Sequence, residues 1–133
     1  MGVTVFDSDV LIGFLNGADA HHAEAVKVMR AALDDAERWL CAVNYSEILV
    51  GPIRVHKQAT VEAMLGHFGF TIVQVDRPLA ERAATVRART GLKLPDAYAL
   101  ATAIHGEQRG HDDVKLATFD TKVLAARRAL QGD

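Results

Sequence analysis

The sequence is poor in cysteine, proline, aromatic residues and surplus charge, and each shortage excludes something. Its single thiol, Cys41, cannot close an intrachain disulfide and sits in the apolar run WLCAV, so a reduced, cytoplasmic setting is expected. No apolar run is long enough to span a bilayer, so no membrane partner is expected. No basic segment followed by an apolar stretch opens the chain, which argues against a secretory leader. The net charge of −2 excludes a protein that binds nucleic acid simply by coating it with basic surface. It does not exclude an enzyme that acts on nucleic acid. No repeat, low-complexity tract or Pro/Gly-rich linker divides the 133 residues, so residues 1–133 read as a single domain. Half of the residues are hydrophobic, which speaks against disorder and supplies a core without staples.

What is present is an alternation of short apolar runs and helical periodicities. Residues 3–6, 39–43, 71–75 and 115–118 read as strands. Between them, Val26, Met29 and Leu33 share a helical face, as do Val61, Met64, Leu65 and Phe68, then Leu79, Ala83 and Val86. The helix expected over residues 96–108 is apolar on most sides at its start, the profile of a helix buried in the middle of a domain. A helix over residues 121–130 closes the chain. The pattern predicts an α/β fold with a mainly parallel sheet. In such sheets, ligands bind beyond the carboxyl ends of the strands. Asp7 follows the first strand and Asp120 the last; Glu47 lies early in the helix after the second strand, and Asp96 opens the buried helix.

Each of these acids has an ordinary explanation. Asp7 and Asp120 are placed to cap the helices that follow them, and Asp96, after Pro95, is placed as a first-turn acid. Glu47, between Tyr45 and the apolar Ile48-Leu49-Val50, is expected to be half-buried and to need a partner. Taken together they point elsewhere. Two carboxylates about 5 Å apart repel by roughly 3 kcal/mol at an effective dielectric near 20. Something positive must offset several such pairs, and only Asp120 has a basic neighbour in sequence, Lys122. An all-oxygen site of this kind suits Mg²⁺ or Mn²⁺.

In order and spacing, the segments VFDSDVLIGFL, NYSEILVG, LKLPDAYALATA and LATFD resemble those of the PIN domain, and more narrowly of small VapC-type toxins. The resemblance covers nearly the whole chain. It implies a three-layer α/β/α domain with a mainly parallel sheet of four or five strands. It also implies a Mg²⁺- or Mn²⁺-dependent endoribonuclease that cleaves RNA with a metal-activated water. Asp7, Glu47, Asp96 and Asp120 map onto the family's acidic quartet, with Asp7 and Asp96 as the principal metal ligands. Glu47 and Asp120 would complete the pocket, orient metal-bound waters or help hold a second ion. Thr118 maps onto an accessory hydroxyl position. Asp9 departs from the pattern, which more often has a small hydroxyl or amide residue there; it is either an outer-shell ligand or solvent-facing. Further implications are a VapB-type antitoxin partner and a homodimer, for which Phe14, Leu15, Ile53 and Val55 are candidate contact residues. Arg54, Lys57, Arg82, Arg89 and Lys93 are candidate phosphate contacts.

Two other readings compete. FDSDVL also matches the signature of haloacid dehalogenase-like phosphatases, with Asp7 as nucleophile and Asp9 as acid/base. Against it, Asp112-Asp113 precede the last strand instead of following it, and the chain is short for that fold. The other alternative is a non-catalytic PIN-like binding module whose acids only cap helices. His21-His22 lack the i, i+4 spacing of a zinc site and read as solvent-facing or capping residues; His105 and His111 flank a Gly-rich turn, HGEQRGH.

Overall fold

A computed structural model describes residues 2–131; the ends of the expected 1–133 domain, Met1, Gly132 and Asp133, lie outside the described residues. The order of elements is β1 (Val3–Phe6), α1 (Ser8–Leu15), α2 (His22–Ala32), β2 (Glu37–Cys41), α3 (Ala42–Arg54), α4 (Gln58–His67), β3 (Phe70–Val73), α5 (Arg77–Thr90), α6 (Leu94–Gln108), β4 (Val114–Ala117) and α7 (Thr121–Gln131). The four strands form one sheet in the order β3-β2-β1-β4, with every pair parallel. Parallel neighbours need crossover connections, and each crossover here is a pair of helices.

Alternation along the strands sends side chains to two faces. On one face Phe6, Leu40 and Ala117 pack with Val10, Leu11, Met29, Ile48 and Leu65 of α1 to α4. On the other, Cys41 and Leu116 pack with Leu79, Ala83, Leu100 and Val123 of α5, α6 and α7. The result is the expected three-layer α/β/α architecture, with four strands in the sheet. Among the described residues no helix is long and apolar enough to cross a membrane.

Several local expectations shift. β2 and β3 begin and end earlier than the runs at 39–43 and 71–75 suggest. The charged Glu37 and Arg38 belong to β2 because their side chains are satisfied locally. Arg38 donates to the carbonyls of Ala32, Asp35 and Phe68, which tie down the ends of α2 and α4. The buried stripe of α2 is Ala25, Met29 and Ala32; Val26 is only partly buried, and Leu33 lies past the helix and is exposed. Gly106 is not in a turn but inside α6, pressed against the Trp39 ring; the turn itself contains Gly110, at φ 102°. As expected, α6 is the buried central helix, with seven buried residues from Ala97 to Gly106.

Candidate active site

The chain runs outward from β1 through β2 to β3, then returns across the sheet to β4 on the other side of β1. The switch point is therefore the crevice beyond the carboxyl ends of β1 and β4, where ligands of parallel sheets bind. Phe6 pairs with Ala117 at that edge, and the Asp7 amide donates to the Ala117 carbonyl at 2.8 Å. Asp7 and the segment Thr118–Asp120 thus leave the sheet side by side.

Asp7 is the N-cap of α1 and almost fully buried. One carboxylate oxygen accepts from the Ser8 amide at 2.8 Å and the other from the Thr118 hydroxyl at 2.8 Å. Burial above all, then the charges of Asp9 and Asp96, push its pKa up to about 7, against the lowering pull of Thr118 and the Ser8 amide. Asp120 does what a cap does: its Oδ1 accepts from the Lys122 amide at 2.8 Å, while its own amide donates to Thr118 Oγ1 at 3.1 Å.

Asp9 does not simply face solvent. Its Oδ2 accepts from the Phe119 amide at 3.0 Å and lies 3.4 Å from the Thr118 hydroxyl, so it latches α1 to the segment after β4. Its Oδ1 is buried without a hydrogen-bond partner among the described residues. Burial raises its pKa, the Phe119 and Val10 amides oppose this, and Asp120 adds to the rise.

Glu47 sits in the second turn of α3 and is half-buried, with partners as expected. Its Oε1 accepts from the Ser8 hydroxyl at 2.8 Å and from the Asn44 amide at 3.1 Å. The same Asn44 amide donates to the Pro95 carbonyl at 3.0 Å, tying α3 to the start of α6. The sequence reading assigned no such role to Ser8 or to the fully buried Asn44. The available signal was spacing: Asn44 and Glu47 stand three apart on one helix, and such residues are neighbours.

Asp96 lies in the first turn of α6, half-buried. Its pKa is raised by burial, then by Asp120, Glu47 and Asp9; Lys93 offsets this in part. The five acids Asp7, Asp9, Glu47, Asp96 and Asp120 therefore share one negative field. Among the described residues none of them forms an ion pair with Lys, Arg or His. Nor, as the side chains stand, do any three His, Cys, Asp or Glu form a group that could hold a metal ion. As the side chains stand, the acids are gathered but not closed on one point. The donor set nevertheless fits a hard divalent cation: the donors are carboxylate oxygens, and among the described residues Asp9 Oδ1 has no hydrogen-bond partner and no basic group forms an ion pair with any of the five acids.

Two hollows adjoin this cluster. One, of about 320 Å³, is lined by Lys93, Asp96, Asp120 and Lys122 among others. The other, an apolar groove of about 710 Å³, runs from Glu47 past Ile12, Leu15, Val55 and Val61, with Lys57 on its wall. Phe14 and Leu15 are half-buried against the core, whereas Ile53 and Val55 are exposed. Arg82 and Arg89 line a separate hollow with Ile104 and Leu130.

A family model described as PIN domain matches residues 4–129. A chain in a solved toxin–antitoxin complex from Klebsiella pneumoniae is 27% identical, with a TM-score of 0.74, over 94% of this chain and 91% of that one. A chain in the structure of VapBC2 from Rickettsia felis bound to a DNA fragment from their promoter has 12% identity and a TM-score of 0.55. That match covers 90% of this chain and 100% of the other, and shows likeness of fold alone. No curated protein sequence matches the chain.

Proposed function

Because the chain belongs to the PIN domain family, we propose that it is a divalent-cation-dependent endoribonuclease, the toxin of a VapBC-type toxin–antitoxin pair, with residues 1–133 as one nuclease domain. The observation that carries this reading is the set of five carboxylates at the β1/β4 switch point with no basic partner among the described residues. Asp7 and Asp96 would hold Mg²⁺ or Mn²⁺, with Glu47 and Asp120 completing the pocket. The ion would supply positive charge to offset the phosphodiester and would lower the pKa of water. The chain's own groups do the positioning. Thr118 fixes Asp7 Oδ2 and receives the Asp120 amide, so one hydroxyl sets the spacing of two acids. Ser8 and Asn44 hold Glu47 Oε1, which leaves Oε2 to accept from and orient a water.

The engagement of Asp9 with the Phe119 amide and the Thr118 hydroxyl speaks against the phosphatase alternative, which needs Asp9 as a free acid/base. The apolar groove that begins at Glu47 suits an amphipathic segment of a VapB-type antitoxin ending in a basic side chain among the acids. A homodimer would bury the exposed Val50 and Ile53 of α3.

The test is to incubate purified protein with total RNA and Mg²⁺, Mn²⁺ or chelator, alongside Asp96→Asn, and to sequence the new ends. Cleavage is expected from the wild type with a cation, to stop with the chelator and to fall by about two to four decades in Asp96→Asn. Cleavage undiminished by the chelator or the substitution, or no cleavage at all, overturns the reading.

A further inference from the structure

We propose that Lys93 and Lys122 form a phosphate clamp for single-stranded RNA, holding the strand in the hollow beside the acidic cluster. This rests on the ribonuclease reading above. The hollow of about 320 Å³ has two lysines and two carboxylates, Asp96 and Asp120, in its wall. Opposite charges in one hollow ordinarily pair. Among the described residues neither ammonium group makes an ion pair, and Lys93 only eases the negative field on Asp96 from a distance.

With respect to the helix dipoles the placement of both lysines is unfavourable, although the acids beside them attract them. Lys93 is the N-cap of α6, with no side-chain cap bond, and Lys122 lies in the first turn of α7. Helix N-termini carry partial positive charge, which disfavours cations and favours anions. Without an ion pair among the described residues, both ammonium groups keep their donors for a ligand. They put two positive charges in the same wall as Asp96 and Asp120, at the edge of the acidic cluster. A phosphate in that hollow would meet two ammonium groups. A neighbouring phosphate of the same strand would then lie over the carboxylates, where a cation offsets its charge. Of the basic residues singled out from sequence, Lys93 is the one that lines this hollow; Arg82 and Arg89 line another.

The experiment measures the affinity of the full chain for a labelled single-stranded oligoribonucleotide across a salt series, with Ca²⁺ in place of Mg²⁺. It compares wild type, Lys93→Ala, Lys122→Ala, the double variant and the double Lys→Arg variant. Lys27→Ala, which removes an exposed charge from α2, is the control. Each lost phosphate contact should reduce the slope of log affinity against log salt by about 0.7, and the double variant should bind roughly tenfold more weakly. The arginine pair should bind as the wild type does, and the alanine pair should keep a cooperative unfolding transition. A double alanine variant that matches Lys27→Ala in affinity and slope, while the wild type cleaves RNA, overturns the clamp alone. A wild type that cleaves no RNA with Mg²⁺ or Mn²⁺ overturns the ribonuclease reading and the clamp with it.

Discussion

Asp7 is a carboxylate with almost no exposed surface, placed where a parallel sheet delivers its ligands. Its pKa, raised from 3.8 to about 7 by burial and by Asp9 and Asp96, makes stability depend on pH in a definite direction. Between those values the folded protein binds more protons than the unfolded chain, so stability falls as pH rises. The full advantage is present below about pH 4 and is lost by about pH 7, a decline of roughly 4 kcal/mol. Denaturant unfolding of the metal-free protein at a series of pH values should show this decline, and Asp7→Asn should flatten it. Asparagine can still accept from the Ser8 amide, and the Thr118 proton can turn to Asp9 Oδ2, 3.4 Å away. A wild-type profile without the decline would refute this account of Asp7. Asp96 makes a second residue-scale case, because it stands half-buried in a field of like charge. Asp96→Asn should leave metal-free stability unchanged or higher while RNA cleavage falls by about two to four decades. If Asp96 were only a first-turn helix acid, the same change would cost up to about 1 kcal/mol and leave cleavage intact.

At the scale of elements, the position of α6 decides where Asp96 lies, and a glycine decides the position of α6. A Cβ at Gly106 would come within 2.7 Å of the Trp39 ring, which is a rigid group on β2. Gly106→Ala should therefore destabilise by about 1–3 kcal/mol in thermal or denaturant unfolding, whereas Gly17→Ala, with open space around it, should be near neutral. The latch between α1 and the segment after β4 gives a parallel test. Asp9→Ala leaves the Phe119 amide without its acceptor and should cost about 1–3 kcal/mol; Asp9→Asn keeps an acceptor and sheds a charge, so it should cost little. A matching loss in both variants would show that the charge, not the acceptor, is what holds the latch. These elements also mark where the sequence was legible. β1 and the start of α1 were readable to the residue because an apolar run stops at a capping acid. The run WLCAVNY crosses from β2 into α3 without a polar break, so periodicity could not locate that boundary. The stripe of α2 was misread because its buried residues are mostly alanines. Acids at strand ends announce a candidate site. The grip of Ser8 and Asn44 on Glu47, and the tie from Asn44 to Pro95, exist only once α1, α3 and α6 are packed together.

For the whole molecule, the strand order β3-β2-β1-β4 forces chain from both halves to meet at one crevice, and what meets there is mutually repulsive. Asp7 and Asp9 come from the start of the chain, Glu47 from the middle, and Asp96 and Asp120 from the last third. The hydrophobic clusters on both faces of the sheet must therefore hold the fold together against its own site. A cation held among those acids would relieve the repulsion and would be linked to folding, since only the folded chain gathers all five. By mass action, an ion at a hundred times its dissociation constant adds about 2.7 kcal/mol. For a domain of this size that is an upward shift in unfolding temperature on the order of ten degrees. Titrating Mg²⁺ or Mn²⁺ into metal-free protein at constant ionic strength should produce that shift, and Na⁺ should not. Asp96→Asn should start from an equal or higher unfolding temperature and gain much less from the divalent ion. An equal gain in wild type and variant would mean that the ion binds elsewhere, and the crevice would then have no ligand to explain its concentration of charge.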